Sequence, residues 1–186
     1  MVGSQPPKYA RVERERRFLV KRLPPWSPEA EQRITDRYVY ETRLRVRMVD
    51  DLGPESGPPV FKLTQKVPGP DPGSGDQGHL TTIYLDEAEH RLLARLPGLT
   101  LTKRRLNYPP MAVDVFEAAG LDGLLIAEVE FESDAAMTWF TVPSWCGPEI
   151  TGEPGWSGAD LAALAAAPAE AAQRALDALR RHHSPS

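Results

Sequence analysis

Val12-Glu13-Arg14-Glu15-Arg16-Arg17-Phe18-Leu19-Val20 governs how the rest of the chain is read. An extended strand alternates its side chains between two faces, so Glu13, Glu15 and Arg17 line one face together. Two carboxylates and a cation make a poor apolar core. They suit a divalent metal held beside a phosphate, because hard cations take oxygen ligands and phosphates take basic donors.

Outward from this stretch the same alternation recurs. Tyr38 to Val49 reads as one long strand, with Glu41, Arg43, Arg45 and Arg47 on one face and Tyr40, Thr42, Leu44, Val46 and Met48 on the other. A Gly- and Pro-rich turn, Asp50 to Pro59, leads to a hairpin partner, Val60 to Val67, where Lys62, Thr64 and Lys66 oppose Phe61, Leu63 and Val67. Leu99 to Tyr108 sets Lys103 and Arg105 on one face, and Ala112 to Glu117 contributes Asp114. Gly123 to Ser133 sets Glu128, Glu130 and Glu132 against Leu125, Ala127, Val129 and Phe131.

Charged faces of this kind are also expected of an ordinary sandwich with one solvated side, and on pattern alone the two readings are evenly matched. Arg-x-Arg-x-Arg, however, sets like charges side by side, which is unfavourable unless a polyanion lies among them. A sheet closed with that face inward would have an ionic lumen, and unpaired buried charge is very costly. A linear polyphosphate with one or two divalent metals would satisfy it.

The remaining elements read as follows. The first strand spans Arg11 to Lys21, and Ser27-Pro28-Glu29 reads as a helix start. Pro68 to Gly78 is a loop long enough to be disordered or a lid, and His79 to Leu85 is a short strand. Asp86-Glu87-Ala88-Glu89 makes a capping box before a helix over His90 to Leu96. After Glu149-Ile150-Thr151, an Ala- and Leu-rich stretch from Asp160 to Arg181 is split by Pro168 into two helices. Many antiparallel strands with a few helices predict an α+β fold, and closure is the economical way to remove sheet edges. The organisation expected is a flexible tail over 1–10, one domain over 11–181 and a second tail over 182–186.

Bulk properties narrow the classes. With 186 residues, 41% hydrophobic and 26% charged, the chain reads as one soluble globular domain. A net charge of -4 gives no global attraction to nucleic acid or an anionic membrane, so neither is expected as a partner. Cys146 is the single cysteine; it cannot form an internal disulfide and fits a reducing compartment. With no apolar run of membrane-spanning length and no signal-peptide core, a cytoplasmic location is expected.

The motifs in order resemble those of the CYTH superfamily, the triphosphate tunnel metalloenzymes. Glu13-Arg14-Glu15-Arg16-Arg17 is similar to that family's Glu-x-Glu-x-Lys opening. Arg45-Val46-Arg47, Lys62 within Phe-Lys-Leu-Thr, Lys103-Arg104-Arg105, Glu128-Val129-Glu130-Phe131 and Glu149-Ile150-Thr151-Gly152 follow in the family's order. The resemblance implies a closed eight-stranded antiparallel β-barrel, a tunnel, with flanking and C-terminal helices, and a small-molecule triphosphate or polyphosphate substrate with Mg2+ or Mn2+. It implies catalytic roles for Glu13, Glu15 and Arg17. Metal ligands would come from Glu13, Glu15, Glu128 and Glu130, phosphate contacts from Arg45, Arg47, Lys62, Lys103 and Arg105, and orientation of a basic residue from Asp114. Arg43 and Lys66 share the face but match no motif position. Two departures stand out: Arg17 replaces the signature lysine, and His79-Leu80-Thr81-Thr82 stands where family members often carry Arg-x-Glu.

The function so implied is metal-dependent hydrolysis of inorganic tripolyphosphate or a nucleoside triphosphate. The alternatives are a non-catalytic module binding polyphosphate or a phosphometabolite, a thiamine triphosphatase, an adenylate cyclase, or a processor of RNA 5'-triphosphate ends.

Overall fold

The computed structural model describes residues 8–69 and 78–182. Residues 70–77 of the expected loop, and the outer parts of both expected tails, lie outside the described residues; His182 closes the last helix. The elements in order are β1 (Arg11–Val12), β2 (Glu15–Val20), β3 (Ala30–Val39), β4 (Leu44–Asp51), β5 (Val60–Val67), β6 (His79–Leu85), α1 (Glu87–Leu93), β7 (Gly98–Tyr108), β8 (Met111–Phe116), β9 (Leu125–Glu130), α2 (Asp134–Trp139), β10 (Cys146–Glu149), α3 (Gly158–Ala166) and α4 (Ala169–His182).

The strands form one antiparallel sheet in the order β1-β6-β5-β4-β3-β7-β8-β9-β2-β10. A mixed α and β fold with an antiparallel sheet agrees with the sequence reading. The closed eight-stranded barrel does not: the described ladder has ten strands and ends at β1 and β10 without closing by hydrogen bonds. The expected first strand is broken at Glu13-Arg14. β1 pairs with β6 and β2 with β9, so these two residues carry the chain from one end of the ladder nearly to the other. Glu13 N–H donates to the Gly78 carbonyl at 2.9 Å, and Phe131 N–H donates to the Arg14 carbonyl at 2.8 Å. A covalent link this short between distant strands forces the sheet to curl, with a concave inner face.

Two local readings are corrected. Ser27-Pro28-Glu29 does not begin a helix, because Glu29 N–H donates to the Asn107 carbonyl at 2.9 Å and commits the segment to β3, which pairs with β7 from Ala30↔Asn107 to Val39↔Gly98. Tyr38 to Val49 is not one strand either. It is the end of β3, a turn and the start of β4, with Glu41 in the left-handed region at φ 56°. Thr42 fixes that turn, its hydroxyl donating to the Val39 carbonyl at 3.0 Å and accepting from Leu44 N–H at 3.0 Å. Glu41 and Arg43 therefore leave the strand face. Beyond β9, Ser133 caps the unexpected short helix α2 by accepting from Ala136 N–H.

Two further local expectations stand, although α1 runs Glu87–Leu93 rather than from His90 to Leu96. Asp86 and Glu89 form the capping box of α1, each side chain accepting from the other's backbone N–H at 2.8 Å. Pro168 separates α3 from α4.

Two apolar clusters fix which face is which. Phe18, Val20, Met111, Val113, Ala127 and Val129 pack on the convex side of β2, β8 and β9, beneath Phe140, Val142, Trp145 and Cys146. The second cluster fills one end of the concave side, where Leu101, Phe116 and Ile126 meet Ile150, the fully buried Trp156, Leu161 of α3 and Leu176 of α4. At about 1.5–3 kcal/mol per fully buried large apolar side chain, this cluster holds the two helices against that end. The rest of the concave face is ionic. No helix among the described residues is long and apolar enough to cross a membrane.

Candidate functional site

Residues directly opposite across an antiparallel pair share a face, so the register writes out the inner surface. One row runs Tyr38, Arg45, Thr64, Thr82 across β3 to β6. The next runs Asp36, Arg47, Lys62, Tyr84. Arg105 faces Asp114, Arg17 faces Glu128 and Glu15 faces Glu130. The alternation read from sequence thus converges on one concave surface.

That surface lines a cavity of about 640 Å³, walled by Glu13, Glu15, Arg17, Arg45, Arg47, Lys103, Arg105, Glu128 and Glu130 among others. A second cavity, about 370 Å³, carries Lys62, Tyr84, Arg11 and Tyr9. The two share Glu13, Arg45, Arg47, Thr64, Leu80 and Glu130, so they adjoin along one ionic wall. Of the sequence-predicted site residues, only Asp114 lines neither cavity, and Lys62 lines only the second. There its ammonium lies 5.4 Å from the Tyr84 ring centroid. Arg43 and Lys66 line the first cavity, Arg43 from the β3–β4 turn; His79 lines neither.

Two buried aspartates organise the cations. Asp114, 0% exposed, accepts from Lys103 Nζ and takes a fork from Arg105, Nε to Oδ1 at 2.7 Å and Nη2 to Oδ2 at 2.8 Å. Asp36, 1% exposed, takes an equivalent fork from Arg47, Nε to Oδ1 at 2.6 Å and Nη2 to Oδ2 at 2.7 Å, with Arg45 Nε at 3.6 Å. Burial opposes the charge on Asp36, yet Arg47, Arg45 and Lys103 hold its carboxyl below the usual range. Lys103 moves the other way: burial pulls its ammonium down despite Asp114 and Glu128. Asp36 was not anticipated, because β3 was not recognised as a strand. Its signal was Ile34-x-Asp36-x-Tyr38, an acid between two apolar positions of one face.

Arg17 is held on both sides. It donates to Glu128 at 3.1 Å and to the Trp156 carbonyl at 2.6 Å, while its backbone N–H donates to Thr151 Oγ1 at 2.9 Å. Glu128 also receives Arg105. Burial works to raise the Glu128 carboxyl, but Lys103, Arg105, Arg17 and Arg47 keep it well below the ordinary range. Glu149, of the closing motif, pairs with Arg16 on the outside, and Ile150 enters the apolar cluster.

The remaining acids are less well compensated. Glu15 is pushed up to about 7 by burial, Glu128 and Glu13, against the pull of Arg17 and Lys66. Glu13 Oε2 is buried, and although Lys66 forms an ion pair with it, no donor reaches it in hydrogen-bonding geometry. Arg45 Nε is likewise buried without a hydrogen-bond acceptor. Among the described residues, no three His, Cys, Asp or Glu side chains are grouped closely enough to enclose a metal ion. Glu13, Glu15 and Glu130 nevertheless offer an all-oxygen donor set along one wall of the cavity. That fits Mg2+ or Mn2+ held by one or two carboxylates with substrate phosphate completing the shell.

No model of a known family matches the chain, and no curated protein does. Among solved structures, two crystal structures of the protein NE1496 are similar at TM-score 0.50 and 25% identity, over 81% of this chain. One, described as an inorganic triphosphatase, is covered over 93% of its length, and the other, described as a hypothetical protein, over 97%. The family likeness read from the motifs thus recurs in the chain's structural neighbours.

Proposed function

We propose that the chain is a metal-dependent triphosphatase acting on inorganic tripolyphosphate or a nucleoside triphosphate within this cavity. The observation that carries it is a pair of buried polar atoms, in the wall shared by both cavities, that the protein's own hydrogen bonds do not satisfy. There Glu13 Oε2 and Arg45 Nε are both buried without a hydrogen-bond partner. Buried polar groups are normally satisfied, so a carboxylate oxygen and a guanidinium N–H held only by ion pairs, to Lys66 and Asp36, fit a ligand bringing both a cation and an anion. The neighbouring inorganic triphosphatase points the same way.

Glu13 and Glu15, with Glu130 opposite Glu15, would hold the metal, while Arg17 and Arg105 draw on the charge of Glu128. A divalent cation there supplies Lewis-acid polarisation of a phosphoryl oxygen. Arg45, Arg47, Lys103 and Arg105 grip the phosphate chain, and their charges are fixed in place before the reaction. They can therefore meet the negative charge that spreads over the phosphoryl oxygens in the transition state. Lys62 adds a cation to the second cavity. The flanking apolar cluster limits water at the opposite end. In this reading the curled sheet, spanned by the Glu13-Arg14 link, serves as the tunnel of the family.

A second reading has one observation in its favour. The guanidinium that replaces the signature lysine is spent on Glu128 and Trp156, which suits a tunnel that binds without turnover. Phosphate release from tripolyphosphate, ATP, thiamine triphosphate and pyrophosphate with Mg2+ or Mn2+, beside a Glu13→Gln/Glu15→Gln variant, decides between them. Release from a triphosphate that disappears in the variant supports the hydrolase. Stabilisation by tripolyphosphate without release supports the binder, and neither effect defeats both.

A further inference from the structure

We propose that Asp36 is a positioning residue for this site: it sets the orientation of Arg47, and through it the spacing of Arg45, so that both face the same phosphate oxygens. The inference rests on the functional reading above and adds a residue that neither the motifs nor the structural neighbours single out. Three features carry it. Asp36 is 1% exposed and lines neither cavity, so it does not reach a ligand itself. Both its oxygens are occupied by the Arg47 fork, at 2.6 and 2.7 Å. Arg45, the next inward residue of β4, stands 3.6 Å away with its Nε otherwise unpartnered.

A free arginine has several rotamers and pays for fixing them on binding. Here one carboxylate removes that freedom in Arg47 beforehand. It also offsets one of two adjacent like charges without offering Arg45 the same fork, which leaves Arg45 the better donor to a ligand. Asp114 performs the parallel task for Arg105 and Lys103 on β7. Each aspartate presets one fork; Asp114 binds its second cation, Lys103, directly as well, whereas Asp36 leaves Arg45 to the substrate.

The groups facing Asp36 are Arg47 and Arg45 from β4, Lys103 from β7 and Tyr38 on its own strand. The test is a double-mutant cycle with Asp36→Asn, Arg47→Gln and the double variant. It reads kcat and KM on tripolyphosphate with Mg2+, the dissociation constant for tripolyphosphate alone by calorimetry, and folding by circular dichroism. Misplacing a catalytic contact by about 1 Å can cost about 10²-fold. Asp36→Asn should therefore lose roughly 10- to 100-fold in kcat/KM, chiefly in kcat, with a folded spectrum. In the Arg47→Gln background the same change should cost less than about threefold, because the group it positions is gone.

An equal factor in both backgrounds overturns the proposal, as does a kcat/KM within about twofold of the parent per folded molecule. Should Asp36→Asn fail to fold, Asp36→Glu keeps the charge and displaces the carboxylate by one methylene. A three- to tenfold loss in kcat at roughly unchanged KM is then expected, and an unchanged kcat overturns the proposal. If the parent protein hydrolyses no triphosphate, the functional reading has failed by itself. The dissociation constants then decide the role of Asp36 by the same non-additivity.

Discussion

Burial and two neighbouring acids crowd a single carboxyl group, that of Glu15, and raise it to about 7 from an ordinary 4.5. Between those values the folded chain holds a proton the unfolded chain has lost. The associated stability is therefore complete below pH 4.5 and is lost as pH rises through 7. In the metal-free protein, Glu15→Gln abolishes this term. Urea titrations at pH 5 and pH 8 should show the variant gaining on the parent by about 2 kcal/mol as pH rises, since each pKa unit is worth about 1.4 kcal/mol. A constant difference would place the proton elsewhere. Adding Mg2+ at pH 8 should stabilise the parent and leave the Glu13→Gln/Glu15→Gln variant unmoved, because a bound cation relieves the same crowding. Glu13 and Glu15 on one face are legible from spacing alone, and Glu128 joins them only through the family resemblance, whereas Asp36 is hidden. A buried carboxylate erases the apolar alternation that reveals a strand, and only the cations on the neighbouring strand explain it.

Elements show the same division between local and distant causes. The capping box of α1, the proline break before α4 and the alternation of β7, β8 and β9 are written in contiguous residues, and they were readable. The β3–β4 hairpin was not, because its turn depends on Glu41 at positive φ and on the Thr42 hydroxyl, and its strand on pairing with a segment about 70 residues away. The Ser-Pro-Glu signal at 27–29 is a good local helix start, and the ladder overrode it. One element contact matters to the site. A Cβ built on Gly158, at the start of α3, would lie 1.9 Å from the Tyr38 hydroxyl, and Tyr38 lies directly opposite Arg45 across the β3–β4 pair. Gly158→Ala should therefore displace either α3 or Tyr38. Expected is a destabilisation of about 1–3 kcal/mol, with kcat/KM falling roughly tenfold if Arg45 shifts with Tyr38. Thermal melts and steady-state rates on tripolyphosphate check both parts, and wild-type rates would show that Arg45 holds its place without Tyr38.

The whole molecule is a sheet wrapped around charges, stabilised by an apolar cluster on its outside and another at one inner end. Such an interior gains from an anion more than an apolar core would. Tripolyphosphate at about a hundred times its dissociation constant should stabilise the protein by about 2.7 kcal/mol, read as a higher melting temperature. The gain should fall as sodium chloride is raised. A gain indifferent to salt would mean that the anion binds outside the charged interior. The chain link at Glu13-Arg14 has a consequence in time as well as in space. β2 leaves the ribosome long before its partner β9, since Glu15 pairs with Glu130 and Leu19 with Ile126. At about 5–20 residues per second, that separation means a wait of roughly 5–20 s. Through that interval Phe18, Leu19 and Val20 are translated but unpaired, exposed to chaperones and to other nascent chains. The strand that opens the site is thus made early and docked late.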